Sequence, residues 1–211
     1  MLIGRKEELR ELNDAFKSEY SEFVAVYGRR RVGKTFLVRE AFNYEFTFQH
    51  TGVAKEKIAG QLAAFRTSLI DYGYKDCPEL ASWPDAFNSL KVGIKSSRKK
   101  KKVIFIDEIS WMDTPKSNFV SALEHFWNSW CSARKDVLLI ICASATSWII
   151  NKVIKDRGGL HNRVNTQIYL MPFTLKECEE YLQSRNIRIN RYQILTLYMV
   201  MGGPAYYWRD R

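Results

Sequence analysis

The chain has 211 residues, of which 46% are hydrophobic and 14% are aromatic, and its formal net charge is +10. This composition can fill a substantial core, so it excludes a disordered chain. No apolar run is long enough for a membrane span and no signal-peptide pattern opens the sequence, so we expect no membrane partner.

The first predicted elements are an amphipathic helix and a strand. Leu9, Leu12, Phe16 and Tyr20 recur at helical spacing, which predicts a helix with one apolar face. Residues 23–27 then form an apolar run typical of a strand. The strand ends at a glycine.

A phosphate-binding loop follows this strand. Residues 28–35 match G-x-x-x-x-G-K-[ST] at every fixed position, and a helix-like run follows at 36–42. The glycines allow a tight turn whose amide N–H groups face phosphate oxygens, Lys34 can reach the β- and γ-phosphates, and the Thr35 hydroxyl can bind Mg²⁺. A coincidental glycine-rich turn is the alternative, and the flanking elements argue against it. The predicted nucleotide-binding residues of this segment are Gly28, Arg30, Arg31, Val32, Gly33, Lys34, Thr35 and Phe36.

Two basic runs explain part of the positive charge. The run 29–31 lies inside the phosphate-binding loop, where variable positions partly face solvent or a neighbouring subunit, so we interpret it mainly as loop. The run 98–102 precedes a strand and so lies at that strand's amino end, away from the nucleotide. We interpret it as a solvated loop, with a patch that contacts DNA or RNA as the alternative.

Three elements are predicted between the phosphate-binding loop and the second basic run. Residues 44–49 alternate as a strand should, residues 55–72 form a helix, and a shorter helix covers residues 83–91. Strands that alternate with helices in this way indicate parallel βαβ units.

Two carboxylates follow the next strand. Residues 103–106 are four consecutive apolar residues, which is typical of a parallel strand buried on both faces, and Asp107 and Glu108 come directly after them. Ligands of open α/β sheets bind at the carboxyl ends of the strands, so these side chains belong beside the phosphate-binding loop. Asp107 is placed to hold a Mg²⁺-bound water, and Glu108 to orient or deprotonate the water that attacks the γ-phosphate. An ordinary acidic turn is the alternative.

The second half of the chain continues the alternation. Apolar residues from Phe119 to Trp130 mark one face of a helix, which we interpret as core packing rather than a platform for base stacking. Strands are predicted at 137–142 and 166–170, and the pattern after Phe173 is helical.

The predicted base is adenine. A GTPase would carry Asn-Lys-x-Asp after a later strand, but residues 151–154 read Asn-Lys-Val-Ile, so the carboxylate that accepts from guanine is replaced by Ile154.

The cysteines and histidines indicate no metal cluster. Cys77, Cys131, Cys142 and Cys178 are scattered without C-x-x-C spacing, which indicates reduced thiols in a cytoplasmic protein and argues against a zinc site. The three histidines form no ligand group, so we expect no metal other than Mg²⁺.

Several smaller motifs carry a family resemblance. The chain opens with Ile3-Gly4-Arg5, Ser144 follows the 137–142 strand in a small polar turn, a Leu-x-x-Arg segment ends at Arg163, and Met171-Pro172-Phe173 follows. With the phosphate-binding loop and the Asp107-Glu108 strand, these motifs resemble the archaeal-type P-loop ATPases of the AAA+/STAND lineage over essentially the whole chain.

The resemblance implies a fold and further site residues. The implied fold is a three-layer α/β/α P-loop NTPase core at residues 1–172, with a parallel sheet of the additional-strand type, followed by the start of an α-helical lid at 173–211. Ile3, Gly4 and Arg5 should lie near the adenine, and Ser144 should be a sensor of the γ-phosphate. Arg163, with Arg157 as the competing residue, should stabilise charge on the transferred phosphoryl group in its own subunit or across an interface of a homo-oligomer.

Three features depart from the family's usual pattern. Ala143 stands where glycine usually precedes the sensor serine, so the turn is expected to differ slightly. The segment 201–207 resembles the family's Gly-Gly-x-Pro-Tyr-Tyr element with one residue missing from its middle, so a contact of this element with nucleotide is left open. Family members usually continue into more lid helices and further C-terminal domains, so we expect these residues to be the N-terminal part of a longer protein.

The sequence therefore predicts an ATP-binding domain that hydrolyses ATP with Mg²⁺. Glu108, Lys34, Arg163 and Ser144 are the predicted catalytic residues, and Thr35 and Asp107 the metal ligands. One alternative is a slowly hydrolysing, nucleotide-gated switch that controls a DNA-binding or nuclease-like C-terminal region. Another is a nucleic-acid-binding module in which ATP is structural.

Overall fold

Residues 2–155, 160 and 162–208 are described by the structure, which is a computed structural model. In this part of the chain five strands alternate with helices. The strands are β1 (Glu22–Tyr27), β2 (Phe48–Thr51), β3 (Lys102–Asp107), β4 (Val137–Ala143) and β5 (Thr166–Tyr169). The helices are α1 (Lys6–Lys17), α2 (Lys34–Ala41), α3 (Ile58–Asp71), α4 (Trp83–Ser96), α5 (Phe119–Phe126), α6 (Thr146–Ile149), α7 (Leu175–Ser184) and α8 (Arg191–Met201).

The strands form one parallel sheet in the order β2-β3-β4-β1-β5. The strand before the phosphate-binding loop, β1, is therefore separated from the strand that ends at Asp107 by β4. This intervening strand is what defines the additional-strand type of P-loop fold, so the predicted fold class is confirmed. All seven residues of β4 are buried, as expected for the central strand of a covered parallel sheet.

Helices cover both faces of the sheet and create two apolar clusters. Successive residues of β1 point to opposite faces, so Phe23 belongs to one cluster and Val24 to the other. The first cluster includes side chains of α3, α4 and α5, and the second includes side chains of α1 and α2. The result is the predicted α/β/α arrangement of three layers.

The aromatic stripe of α5 belongs to the first cluster. Phe119 and Phe126 are fully buried, and Trp127 is only 3% exposed. Their interpretation as core packing is confirmed. The helix does not run regularly to Trp130, because residues Trp127–Cys131 form a π-helical turn that continues α5.

The predicted strand at 44–49 lies a few residues too early. Asn43 and Tyr44 both have positive φ, so this part of the alternating pattern is a turn after α2, and β2 begins only at Phe48. The helix predicted at 83–91 is longer than expected and reaches Ser96. Its first turn explains where it starts, because the Ser82 side chain accepts from the Asp85 N–H and Pro84 occupies a position where proline is well tolerated.

The helical segment after the sheet has a small cluster of its own. It contains Phe173, Cys178, Leu182, Ile194 and Trp208. Capping boxes begin both helices, Thr174 with Glu177 at α7 and Asn190 with Gln193 at α8. The boundary at residue 172 itself stays a prediction.

Three further features concern the cysteines, membrane-spanning helices and metal-binding groups. All four cysteines are buried and unpaired. Within the described residues, no helix combines the length and apolarity that a membrane crossing requires. The same part of the chain contains no group of three or more His, Cys, Asp or Glu residues suited to a metal ion.

Candidate functional site

The phosphate-binding loop joins β1 to α2 with glycines at the two positions that need them. Gly28 has φ +145°, and a Cβ there would overlap the backbone oxygen of Leu170. Gly33 has φ +95° immediately before the first residue of α2. Neither conformation is readily adopted by other residues. The backbone conformation of the loop therefore requires both glycines, and the close approach of Leu170 adds a second requirement at Gly28.

Lys34 lies at the centre of the site and is only 5% exposed. Its Nζ donates to the carbonyl oxygens of Gly28 and Arg29, both at 3.0 Å, and to the Ser144 hydroxyl at 3.1 Å. Burial lowers the pKa of the Lys34 ammonium, and the Coulomb field of Glu108 acts in the opposite direction. The ammonium is thus surrounded by oxygen atoms in a position where phosphate oxygens can replace them.

Asp107 and Thr35 form a pair suited to a hard cation. The Thr35 hydroxyl donates to Asp107 Oδ2 at 2.7 Å, and the Glu108 N–H donates to Oδ1 at 2.9 Å. Burial raises the pKa of Asp107, and these two hydrogen bonds oppose that shift. A hydroxyl and a carboxylate are oxygen ligands of the kind that Mg²⁺ prefers, so the side chains present fit the predicted metal.

Glu108 begins the turn after β3 in a left-handed conformation, with φ +45°. Its carboxylate accepts from the Ser144 hydroxyl at 2.6 Å through Oε1 and from the Ser144 N–H at 3.4 Å through Oε2. Because Ser144 also accepts from Lys34, one hydroxyl links Glu108, the predicted catalytic base, to Lys34, the predicted phosphate ligand.

The sheet order explains this link. Lys34 follows β1, Ser144 follows β4 and Glu108 follows β3, and these three strands are neighbours. The carboxyl ends of parallel strands meet at one edge, so β4 places its serine between the other two residues. Ala143 ends β4 in register with Tyr27 as an extended residue. Alanine adopts that conformation without strain, so this departure from the family pattern does not disturb the strand's end.

The arginines of the loop contact aromatic side chains. The guanidinium of Arg30 lies 5.9 Å from the ring centroid of Trp111. Arg31, at φ +70°, lies 4.8 Å from the Tyr206 ring and 5.2 Å from the Tyr207 ring, and its Nη1 donates to the Tyr207 hydroxyl at 2.7 Å. These contacts turn both arginine side chains toward other parts of this chain.

The element at 202–207 therefore reaches the phosphate-binding loop despite its missing residue. The Tyr206 N–H donates to the Arg31 carbonyl at 3.2 Å, and a Cβ on Gly33 would lie 4.0 Å from that of Ala205. Sequence reasoning noted Tyr206 and Tyr207 as part of this element but missed their contact with Arg31, and it missed Trp111 altogether. The paired tyrosines after Gly-Gly were a visible signal, but only the tertiary fold shows that they face an arginine.

The remaining phosphate-loop residues have different surroundings. Val32 is buried in the second apolar cluster, so its side chain faces the core and only its backbone can face a ligand. Phe36 is 47% exposed on α2. Their contact with nucleotide stays a prediction.

The opening segment lies between the end of the sheet and α7. Arg5 is 8% exposed, donates to the Met171 carbonyl at 2.6 Å and lies 4.9 Å from the Phe173 ring centroid. A Cβ on Gly4 would overlap the Glu177 carboxylate. The segment that includes Ile3 is thus held where core and helical segment join, and its role beside adenine stays a prediction.

Arg163 does not lie beside Lys34, Ser144 and Glu108 of its own chain. It is exposed and precedes β5, and the N–H of Asn165 donates to the Phe23 carbonyl at 2.9 Å. Because β5 is parallel to β1, Arg163 lies at the amino edge of the sheet, whereas Lys34 follows the carboxyl end of β1. The competing residue, Arg157, lies outside the described residues.

Comparisons with known proteins identify the family and the fold of this chain. An uncharacterized protein of Methanocaldococcus jannaschii is 26% identical over 183 residues, which is 86% of this chain but only 38% of that protein. The Walker-type ATPase of Pyrococcus abyssi has a similar structure, with a TM-score of 0.67 and 15% identity, over 98% of this chain and 65% of that one.

A second solved structure has the same fold. The signal transduction ATPase with numerous domains and a tetratricopeptide repeat sensor from Pyrococcus horikoshii matches with a TM-score of 0.58 and 22% identity, over 96% of this chain and 28% of that one. A sequence model described as the ATPase domain predominantly from Archaea matches residues 2–207. The chain therefore belongs to this family of archaeal-type ATPase domains.

Proposed function

We propose that this ATPase domain binds ATP with Mg²⁺ and hydrolyses it to ADP and phosphate. The observation that carries the proposal is the Lys34–Ser144–Glu108 connection beside the Thr35–Asp107 pair at one edge of the sheet. Thr35 and Asp107 would hold the magnesium ion, whose positive charge would offset the negative charge that develops during phosphoryl transfer. Adenine is favoured because Ile154, at the position of the guanine-reading aspartate, is partly buried against the first apolar cluster.

Each residue of the site has a separate proposed role. Lys34 is proposed to exchange its loop carbonyl partners for phosphate oxygens, which keeps its ammonium paired throughout. Glu108 orients the attacking water and accepts its proton, while the Ser144 hydroxyl fixes the direction of that carboxylate. Asp107, held by hydrogen bonds from the Thr35 hydroxyl and the Glu108 N–H, would help to hold the metal.

Turnover measurements on the native chain and three variants test this proposal. Phosphate release with Mg²⁺ is compared for the native chain, Lys34→Ala and Glu108→Gln, with exposed Lys176→Ala as a matched control. We expect Lys34→Ala to lose nucleotide binding, and Glu108→Gln to bind ATP but hydrolyse it at least about a hundredfold more slowly, on the scale of a lost general base. Native turnover in Glu108→Gln would refute the assignment.

Arg163 is proposed to act across an interface between two copies of the chain. Its position at the edge of the sheet opposite Lys34 supports this over action in its own subunit. An arginine supplied by a neighbour can raise the rate by several orders of magnitude. The test is to mix Arg163→Ala with Lys34→Ala, each inactive alone. Restored turnover in the mixture supports the shared site, and no restoration at any protein concentration contradicts it.

A nucleotide-gated switch is the second candidate function. The contact of Tyr206 and Tyr207 with Arg31 favours it, because the helical segment bears directly on the phosphate-binding loop. Residues 173–211 are proposed to begin a lid, and the separate apolar cluster within 173–208 supports this. Amide exchange of α7 and α8 that differs between ATP and ADP, with turnover slower than nucleotide release, would support the switch.

A cytoplasmic location is proposed from the four unpaired cysteines.

A further inference from the structure

The basic run 98–102 meets two other loops at the amino edge of the sheet. The Lys101 Nζ donates to the backbone carbonyls of Ser18 at 2.9 Å, of Tyr20, and of Lys135 at 3.3 Å. Three loops, those that precede β1, β3 and β4, are therefore joined around one ammonium group. We define the amino-edge surface as the exposed cations and the exposed aromatic ring of these loops, together with the last residue of α1: Lys17, Tyr20, Arg98, Lys99, Lys100 and Lys135.

Some charges of the run are used inside the fold. Lys101 is half-buried by its three carbonyl partners, and burial lowers its pKa. Lys102 pairs with Asp136 at 2.8 Å, and Arg134 makes two hydrogen bonds of 2.7 Å to the same carboxylate. Lys101 and Lys102 therefore hold the loops together, and the prediction of a wholly solvated run is wrong for these two residues.

The other cations of the run face solvent. Arg98, Lys99 and Lys100 are exposed, although the Lys99 Nζ also donates to the Phe46 carbonyl at 3.2 Å. Lys135 is exposed as well and reaches this surface from the loop before β4. Glu19 supplies an exposed carboxylate in the first loop, so the charge is mixed but mainly positive.

An exposed aromatic ring lies among these cations. Tyr20 is 65% exposed, and the Lys135 Nζ lies 5.8 Å from its ring centroid. Large aromatic side chains of this fold are mostly buried in the clusters of the sheet, so Tyr20 contributes nothing comparable to the core. An aromatic ring flanked by flexible cations is the combination that proteins use for single strands, where bases stack on rings while phosphates lie along basic side chains.

We infer that the amino-edge surface binds single-stranded nucleic acid, with phosphates on the exposed cations of the three loops and a base on Tyr20. A duplex keeps its bases stacked inside and would use only the cations, which leaves the exposed ring unexplained. Charge complementarity and the ring together therefore favour a single strand.

This surface is distinct from the ATPase site. The six-residue strand β3 separates Lys102 from Asp107, a distance of roughly 16 Å at about 3.3 Å per residue. None of the residues of the amino-edge surface belongs to the phosphate-binding loop or the Asp107-Glu108 turn. Nucleic-acid binding by this surface can therefore be tested independently of ATP hydrolysis.

Fluorescence anisotropy with a labelled 20-nucleotide oligothymidylate tests the inference. One variant combines Arg98→Gln, Lys100→Gln and Lys135→Gln. It removes two cations from the loop before β3 and one from the loop before β4, and it keeps Lys101 and Lys102. Its control combines Lys152→Gln, Lys176→Gln and Arg188→Gln, which removes the same charge from exposed positions elsewhere. Tyr20→Ala is tested separately, because it changes no charge.

The expected results are specific to the surface. Native binding should weaken with salt, and the surface variant should flatten the slope of log K against log salt by about 2, since each lost phosphate contact in a single strand accounts for about 0.7. Tyr20→Ala should weaken binding by roughly 5- to 150-fold, the range of one base stack. The control variant should bind like the native chain.

Three results would overturn the inference. These are no measurable oligonucleotide binding by the native chain, equal losses in the surface and control variants, or native-like binding by Tyr20→Ala. Tighter binding to phosphatidylserine vesicles than to the oligonucleotide, lost in the surface variant, would assign the same residues to an acidic membrane instead. Melting curves and nucleotide binding of each variant confirm that it is folded.

Discussion

Replacement of Ser144 by alanine tests the arrangement of the site most directly. In the native chain the Ser144 hydroxyl donates to Glu108 at 2.6 Å and accepts from Lys34 at 3.1 Å. The substitution removes both hydrogen bonds and leaves the two charged residues in place. Glu108 then keeps only the long 3.4 Å contact with the Ser144 N–H. We expect its carboxylate to lose its fixed direction toward the attacking water.

The magnitude follows from the charge of both partners. A hydrogen bond to a charged group contributes about 1.5–3 kcal/mol, roughly twice the value for neutral partners. If the Glu108 bond matters in the transition state, the rate should fall by about 10- to 150-fold, at 1.4 kcal/mol per factor of ten. ATP affinity should change less, because Lys34 keeps its two carbonyl partners and remains available to phosphate.

Single-turnover hydrolysis separates these effects. The rate of phosphate formation from bound ATP is measured for Ser144→Ala, and affinity is measured by fluorescent-nucleotide titration. Ser147→Ala is the matched control, since Ser147 is an exposed hydroxyl three residues further on, in α6. The double variant with Glu108→Gln should be hardly slower than Glu108→Gln alone. A native rate in Ser144→Ala, or equal losses of affinity and rate, would refute the proposed positioning of Glu108.

Three further expectations concern the loop, its aromatic contact and a buried histidine. Gly28→Ala should lower stability by about 1–3 kcal/mol, or Tm by roughly 3–10 °C, because of its positive φ and the overlap of a Cβ with Leu170. Tyr207→Phe should weaken ATP binding about 3- to 10-fold through loss of the Arg31 hydrogen bond, and Arg31→Ala should add little to it. Burial lowers the pKa of His50 to about 4, so the unfolded chain binds more protons between pH 6.5 and 4. The free energy of unfolding should therefore fall by up to about 3 kcal/mol as the pH drops through this window, and His50→Leu should remove that dependence.

Each of these expectations has a control within the chain. Gly73 also has a positive φ, +99°, but open space where a Cβ would lie, so Gly73→Ala should cost less than Gly28→Ala in thermal melts. In an Arg29→Ala background, Tyr207→Phe should weaken ATP binding as much as it does in the native chain, because Tyr207 contacts Arg31. Fully additive effects of Tyr207→Phe and Arg31→Ala would contradict their contact. His125 is exposed, so urea titrations of His125→Leu should keep the native pH dependence. A native dependence in His50→Leu would locate the acid sensitivity elsewhere.

The nucleotide motifs were predictable because their chemistry is local. The loop 28–35 and the turn after β3 need particular residues at fixed spacing, and a parallel sheet brings strand ends together whatever their sequence separation. Buried strands such as β4 were equally visible, since a run of seven apolar residues leaves few other interpretations.

Other features depend on register and on long-range contacts. The aromatic alternation before Phe48 looks like a strand, but only residues from Phe48 onward pair with β3, and Tyr44 takes a positive φ instead. The edge at which Arg163 lies is fixed by the pairing of β5 with β1, which no local pattern contains. The partners of Arg31 lie 175 or more residues away in sequence, as in its bond to Tyr207 at a separation of 176.

The four buried cysteines have a practical consequence for following motion in this domain. Burial raises the pKa of each thiol, and all four side chains are shielded from solvent. Maleimide dyes react with accessible thiolates, so the native chain should label slowly. A cysteine introduced at exposed Arg188 would then carry the dye selectively. Changes in the surroundings of the segment between α7 and α8 could thus be followed on addition of nucleotide without first replacing any native cysteine.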